Sequence, residues 1–283
     1  PRTIVVLPEH IGTWLWARGE KKELYQVTRL QEAWQWLELS NPLRYGLAMF
    51  NAEGDDRRGD AHLRMKATQM AADYQQLFGG LAKEFGVTLV AGSIVLPEPY
   101  VEQGVLHSGH GALYNNSVVF AANGKVLGQP QRQQYPDSEV RRFIRGGDAY
   151  PLQVLETPAG RLGVLVGSDS WYPANYQRLA AQAVQVIAVP AFISGKGSWA
   201  APWRGNRHQQ AAAELALQRG EVSEQTAWQR LTQAAGAGVS SMSVFMRGQF
   251  WEQASDGQGF AHQSGELLAG NPSHGARLLN LWL

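Results

Sequence analysis

Cysteine is absent from all 283 residues. Disulfides, thiolate metal sites and thiol catalysis are therefore excluded by inventory. Lysine is scarce, limited to Lys21, Lys22, Lys66, Lys83, Lys125 and Lys196, so most basic residues are arginine. No excess of either charge exists. The formal net charge is +1, and no global field calls for nucleic acid or an anionic membrane. No apolar run approaches the roughly 20 residues that a membrane span needs. "PRTIVVLPEH" has no charged region ahead of a long apolar stretch and does not read as a signal peptide. The chain starts without Met and almost inside a strand, which predicts processing or a longer parent protein. A membrane link is expected only through segments absent from this chain. A cysteine-free chain suits cytoplasm and periplasm alike, so the compartment stays open.

What is present is a chain 44% hydrophobic and 17% charged, long enough for a substantial core. "TIVVLPE", residues 3–9, is a β-branched run ended by Pro8 with Glu9 at its tip. Residues 20–40 carry Leu, Trp and Glu at helical spacing. "NAEGDDRRGDAH" (51–62) reads as an exposed loop. The next 25 residues predict one amphipathic helix with a stripe of Met70, Tyr74, Leu77 and Leu81, weakened at Gly79–Gly80. Strands are predicted over 87–96 and 113–120, the latter leading through "AANGK" into a hairpin. Further strands are expected at 161–167, in "QVIAVPAF" and over 238–246. A short helix is expected in "NYQRLAAQAV" and a longer one over 206–235, broken near Gly220. "FAHQSGELLAG" and "ARLLNLWL" predict a closing hairpin. Strands alternating with helices, some joined by tight hairpins, predict an α/β protein with mixed sheets. Neither a repeat nor a linker-like composition break appears, so residues 1–283 are expected to form a single domain.

The stretch "RLGVLVGSDSWYP" (161–173) runs from a buried strand into a small polar corner and a helix start. α/β proteins often place chemistry at such a corner. Gly167, Ser168, Asp169 and Ser170 nonetheless supply no strong nucleophile.

Several pieces fall in order: "VVLPE", "TLVAGS", "LYNNSVVFAANGKVLG", "QRQQYPDSE", "RRFIRGG", "GRLGVLVGSDSWYP" and "VQVIAVPAF". Together they resemble the nitrilase, or carbon–nitrogen hydrolase, superfamily, and the likeness covers nearly the whole chain from Thr3. The resemblance implies an α-β-β-α sandwich of two mixed sheets flanked by helices, commonly a homodimer. Relative to that pattern, an N-terminal strand and helix are missing from this chain. It further implies a catalytic set in which a Cys thiolate attacks an amide or nitrile carbon. Glu acts as base, Lys steadies the oxyanion, and a second Glu often assists. No cofactor or metal is implied.

The resemblance puts the base at Glu9 and the second Glu at Glu139. It puts the Lys at Arg132, with Gln131 or Gln133 one residue to either side, and the nucleophile at Gly167. Asp169 and Pro173 keep the frame of the corner. Glycine offers no atom for a covalent bond, and Arg keeps a charge but cannot give up its proton. The expected function is that of a nitrilase-fold protein without hydrolytic competence, acting as a binding, scaffolding or regulatory domain. The alternative is a divergent enzyme acting on C–N bonds, with Glu9 as base and water or Ser168 as nucleophile. Asp169, Trp171 and Trp199 are candidates to line a small-molecule pocket, core packing being the other reading of the tryptophans. "HSGH", with His107 and His110, reads as a solvated loop rather than a metal site. "NNS" (115–117) matches a glycosylation acceptor but falls in a predicted buried strand. Arg141, Arg142 and Arg145 are candidates for a basic rim facing an anionic ligand, a solvated face being the bland reading.

Overall fold

The structure, a computed structural model, describes residues 2–137, 140–147, 150–205, 217–231, 235–236, 238–270 and 275–282. The elements run as β1 (Ile4–Val6), α1 (Lys22–Gln26), α2 (Leu30–Ser40), α3 (Pro42–Asn51), α4 (Arg57–Arg64), α5 (Ala67–Tyr74) and α6 (Gly80–Phe85). Then come β2 (Thr88–Val90), β3 (Ile94–Pro97), β4 (Tyr100–Glu102), β5 (Val105–His107), β6 (Leu113–Phe120) and β7 (Val126–Arg132). The second half contains β8 (Val154–Thr157), β9 (Gly160–Val164), α7 (Pro173–Ala180), β10 (Val186–Ala191) and α8 (Glu224–Leu231). It ends with β11 (Ser240–Phe245), β12 (Arg247–Phe250), β13 (Gln253–Asp256), β14 (Phe260–Gln263) and β15 (Glu266–Ala269).

β6 is the spine of the first sheet. β2 and β3 follow one another along one of its edges, β7 takes the other, and β1 lies parallel to β2. The second sheet is ordered β15-β14-β11-β10-β9-β8. Its β9, β10 and β11 are parallel, and the strands outside them are antiparallel. Alternation along the strands builds the layers. Val90 and Val119 of the first sheet meet Leu162, Val164, Val186 and Ala188 of the second. Their neighbours Leu89 and Phe120 face outward, beneath Met70, Tyr74, Phe78 and Ala82. On the far side Ile187, Val189 and Phe245 pack under Leu179, Trp228 and Leu231. The result is the α-β-β-α sandwich of mixed sheets expected above.

Four local expectations change. Residues 51–62 are not one exposed loop. Asp56 caps α4 by accepting from the Gly59 N–H at 2.9 Å. The polar residues behind it are buried because they are paired. Asp60 takes the Arg64 fork at 2.7 and 3.0 Å. His62 stacks on Trp34 and Tyr45 and bonds Glu38 at 2.7 Å. The predicted long helix is interrupted by a π turn at Gln75–Gly79. Its extra residue rotates the stripe, so Phe78 is buried and Leu77 is 46% exposed. The strand over 87–96 is two strands, broken at Gly92. There φ is +69°, and a side chain would strike the Pro8 carbonyl. The closing hairpin, β14–β15, lies wholly within "FAHQSGELLAG", and "ARLLNLWL" contributes no strand among its described residues. Of the helix expected over 206–235, residues 206–216 and 232–234 lie outside the described residues, and Glu224–Leu231 is helical.

The sheet-to-sheet layer is expected to be the costly place to cut. Leu162→Ala should lose about 2–5 kcal/mol in urea unfolding. Leu43→Ala, on the outward side of α3, should stay within about 0.5 kcal/mol of the parent.

Candidate functional site

Glu9 is carried to the sheet-to-sheet edge by β1 and by the close approach of Pro8 to Gly92. The Leu7 N–H donates to the Val90 carbonyl at 2.9 Å, and the His10 N–H donates to Ser93 Oγ at 2.8 Å. These bonds hold the strand end, and His10 takes a left-handed φ of +63°. The Glu9 carboxylate turns inward and is only 5% exposed. Asn115 Nδ2 of β6 donates to Glu9 Oε1 at 2.8 Å, and Gln133 Nε2 donates to the same oxygen at 3.4 Å. Asn115 also donates to Gln133 Oε1 at 3.1 Å, locking the two amides together.

The corner after β9 closes the other side as a short 3₁₀ turn, Gly167–Trp171. Gly167 has φ +49°. A Cβ placed there would lie 2.5 Å from Glu9 Oε2 and 2.7 Å from Oε1. The Glu9 carboxylate thus fills the space into which a side chain at 167 would project. Asp169, fully buried, anchors the corner to the chain leaving β7. It accepts from the Gln134 N–H at 2.9 and 3.0 Å and from the Tyr135 N–H at 2.9 Å. Ser168 Oγ donates to the Tyr135 carbonyl at 2.6 Å and accepts from Gln133 Nε2 at 3.1 Å. Its one proton is therefore directed away from Glu9. Pro173 opens α7, where a missing N–H costs nothing.

The electrostatics follow from burial. Desolvation, aided by the charges of Asp137 and Asp169, raises Glu9 well above the usual carboxylate range, against the Asn115 hydrogen bond and the Phe192 backbone. Asp169 is pushed up to about 7 by burial, which its backbone hydrogen bonds oppose. Burial lowers His10 to about 4, so the imidazole beside Glu9 is neutral near pH 7. Burial thus moves all three groups toward their uncharged forms.

Glu9, Gly167, Ser168 and Asp169 therefore come together. Arg132 does not join them. β7 alternates, so Gln131 and Gln133 share one face and Arg132 points to the other. The residue beside Glu9 is Gln133, one position from the residue the resemblance indicated. Gln131 bonds locally to the Arg132 carbonyl and the Gln153 N–H. Trp171 and Trp199 do not line the corner. Trp171 stacks on Trp203 at 5.7 Å, and Trp199 packs on Phe245 at 4.8 Å. Both are core residues of the second helical layer. Glu139 lies outside the described residues. His107 stacks on Tyr100 in the β4–β5 hairpin, and His110 is exposed. His10 was not among the sequence candidates, and Asn115 entered only through the glycosylation match, not as a partner of Glu9. The signal for Asn115 was two adjacent asparagines inside an otherwise apolar strand, where each buried amide needs partners.

A family model described as carbon-nitrogen hydrolase matches residues 4–259. A deaminated glutathione amidase from Yersinia enterocolitica is 26% identical over 135 residues, 44% of this chain and 44% of that protein. An N-carbamoylputrescine amidase from Solanum lycopersicum is 27% identical over 119 residues, 41% of this chain and 35% of that protein. The matches thus span less than half the length of these curated relatives. In structure, a carbon-nitrogen hydrolase from Helicobacter pylori G27 aligns with TM-score 0.53 at 16% identity, over 93% of this chain and 82% of its own. A mutant amidase from Nesterenkonia sp. AN1, with an acetamide moiety added at its active site cysteine, aligns with TM-score 0.52 at 16% identity, over 95% and 87%. At such identity the structural likeness shows the fold.

Two predictions come from the corner. The folded state holds the Glu9 proton more tightly than the unfolded chain does. That contribution is fully present at low pH and is lost as pH rises through the raised value. Gln at position 9 does not titrate. Glu9→Gln is therefore expected to gain stability relative to the parent as pH rises from about 5 to about 8. Paired melting curves at each pH check this, and parallel Tm profiles would count against it. Gly167→Ala is expected to cost about 1–3 kcal/mol. The cost should shrink in a Glu9→Ala background, which empties the colliding space. A double-mutant cycle in urea measures that coupling.

Proposed function

This chain belongs to the carbon–nitrogen hydrolase family, and we propose that it keeps the frame of an amide-cleaving site without the covalent chemistry, serving as a binding, scaffolding or regulatory domain. One observation carries the reading. The backbone position at the head of the corner is glycine, and the Glu9 carboxylate occupies the space beyond it. Covalent acyl transfer needs a nucleophilic atom there and a base within hydrogen-bond reach of it. The chain has no thiol anywhere. Ser168 is no substitute, because its proton is given to the Tyr135 carbonyl and Gln133 stands between its oxygen and Glu9. Gln133 supplies neutral amide protons where the catalytic scheme asks for a cation, so oxyanion stabilisation is weakened as well.

What persists is the part of the site that builds structure. Asp169, Ser168, Gln133 and Asn115 join β6, β7, β9 and the corner in one hydrogen-bonded unit. Self-association through the nitrilase-type interface belongs to the same reading, and light scattering on the purified chain checks it.

Incubated with N-carbamoylputrescine or deaminated glutathione, the compounds named for the curated relatives, the chain is expected to release no ammonia from the first and no new primary amine from the second above the buffer rate. Ser168→Ala should change nothing in that assay. A measured turnover abolished by Glu9→Gln would overturn the proposal.

A further inference from the structure

The alternation of β7 that brings Gln133 to Glu9 sends Arg132 to the opposite face, and there it is left incomplete. The residue is 6% exposed. Its guanidinium carbon lies 3.6 Å from the centre of the Tyr150 ring and 4.3 Å from that of Tyr114. Nη2 donates to the Pro99 carbonyl at 2.9 Å. Nη1 is shielded from solvent and, among the described residues, has no hydrogen-bond partner. Among the described residues, no carboxylate lies within ion-pair distance of the group.

Buried charges are ordinarily paired, and an unpaired donor on one is costly. Stacking on two phenol rings recovers part of that cost but supplies no counter-charge. Burial raises the Tyr114 hydroxyl, and the charges of both Arg132 and Arg145 oppose that shift; the Tyr114 and Tyr150 rings meet edge to face at 6.0 Å. The Arg145 guanidinium is exposed and 3.7 Å from Glu53. Tyr150 is 39% exposed and lies over the guanidinium, whereas Tyr114 is buried beside it.

We propose that Arg132 Nη1 and the Tyr114 hydroxyl form a binding site for a small carboxylate anion, with the Tyr150 ring as its displaceable cover. An arginine fork and a hydroxyl are two donor groups, which suits the two oxygens of a carboxylate. A phosphate dianion would need further donors from walls that are aromatic. The site faces away from Glu9 and does not depend on whether that corner is inert.

The test is a thermal-shift titration of the whole chain at constant ionic strength. Acetate, propionate and benzoate are the probes, with chloride and inorganic phosphate as controls. The carboxylates are expected to raise Tm saturably, as a ligand bound only by the folded state does. The rise should be lost in Arg132→Gln and weakened in Tyr114→Phe. Tyr150→Ala, which uncovers the guanidinium without removing it, should shift the midpoint to lower concentration. If Arg132→Gln does not fold, Tyr114→Phe and Tyr150→Ala decide the matter. No saturable rise in the parent, an equal rise with phosphate, or a rise and midpoint unchanged in the variants that fold would each overturn the assignment.

Discussion

The Glu9 carboxylate lies between the two sheets, where an ionised carboxylate is expensive to hold. Asn115 and Gln133 meet it from the first sheet, and the glycine corner meets it from the second. Each contact constrains another. Asn115 must lie opposite the residue that follows β7, which fixes how β6 and β7 pair. Gly167 must stay without a side chain, because its Cβ and the carboxylate would claim the same space. Asp169 must then tie the corner to Gln134 and Tyr135, or Gln133 would lose its position. A polar cluster of this kind specifies one arrangement of two sheets whose apolar contacts, valine on leucine and alanine, would tolerate several.

Charge is managed by neutralisation rather than by pairing. Burial raises both Glu9 and Asp169 and lowers His10, so every member moves toward its uncharged form. A hydrolytic site separates its groups into a donor and an acceptor, with values driven apart to suit the two roles. Here the carboxyl groups move the same way and the imidazole moves to match. With the Glu9 carboxyl moved toward its neutral form, amide hydrogens from Asn115 and Gln133 serve as its partners.

Much of the fold was legible because period and punctuation agreed. "LYNNSVVF" is β6 over its whole length, Pro173 opens α7, and "VIAVPA" is β10. The corner at Gly167 was legible as a turn between a buried strand and a helix start, because Asp169 and Pro173 mark it, and the structure places Glu9 beside it. Other features depend on partners distant in sequence. The polar run 51–62 looked solvated, but Asp60 and His62 are buried through Arg64, Glu38, Trp34 and Tyr45. The stripe ending in Leu77 assumed an unbroken helix, and one π turn moved the buried face to Phe78. Trp171 and Trp199 follow strands that end near the corner, yet they turn into the outer core. Nothing local separates a tryptophan that walls a pocket from one that fills a layer.

The choice between Arg132 and Gln133 shows how much one residue of register decides. Successive side chains on a strand face opposite sides, so a slip of one exchanges an arginine for an amide at the same corner. With Arg132 beside Glu9, the carboxylate would be ionised and paired, and a charged dyad would sit at the head of a glycine turn. With Gln133 there, the corner stays uncharged and the arginine is delivered to two tyrosines on the other face. The two faces of β7 then carry opposite problems. One buries acids that shed their charge by holding protons. The other buries a guanidinium, which cannot shed its charge. A carboxyl group can neutralise itself, whereas an arginine cannot, and among the described residues no carboxylate pairs with this one, so this second face is the stronger place to look for a ligand.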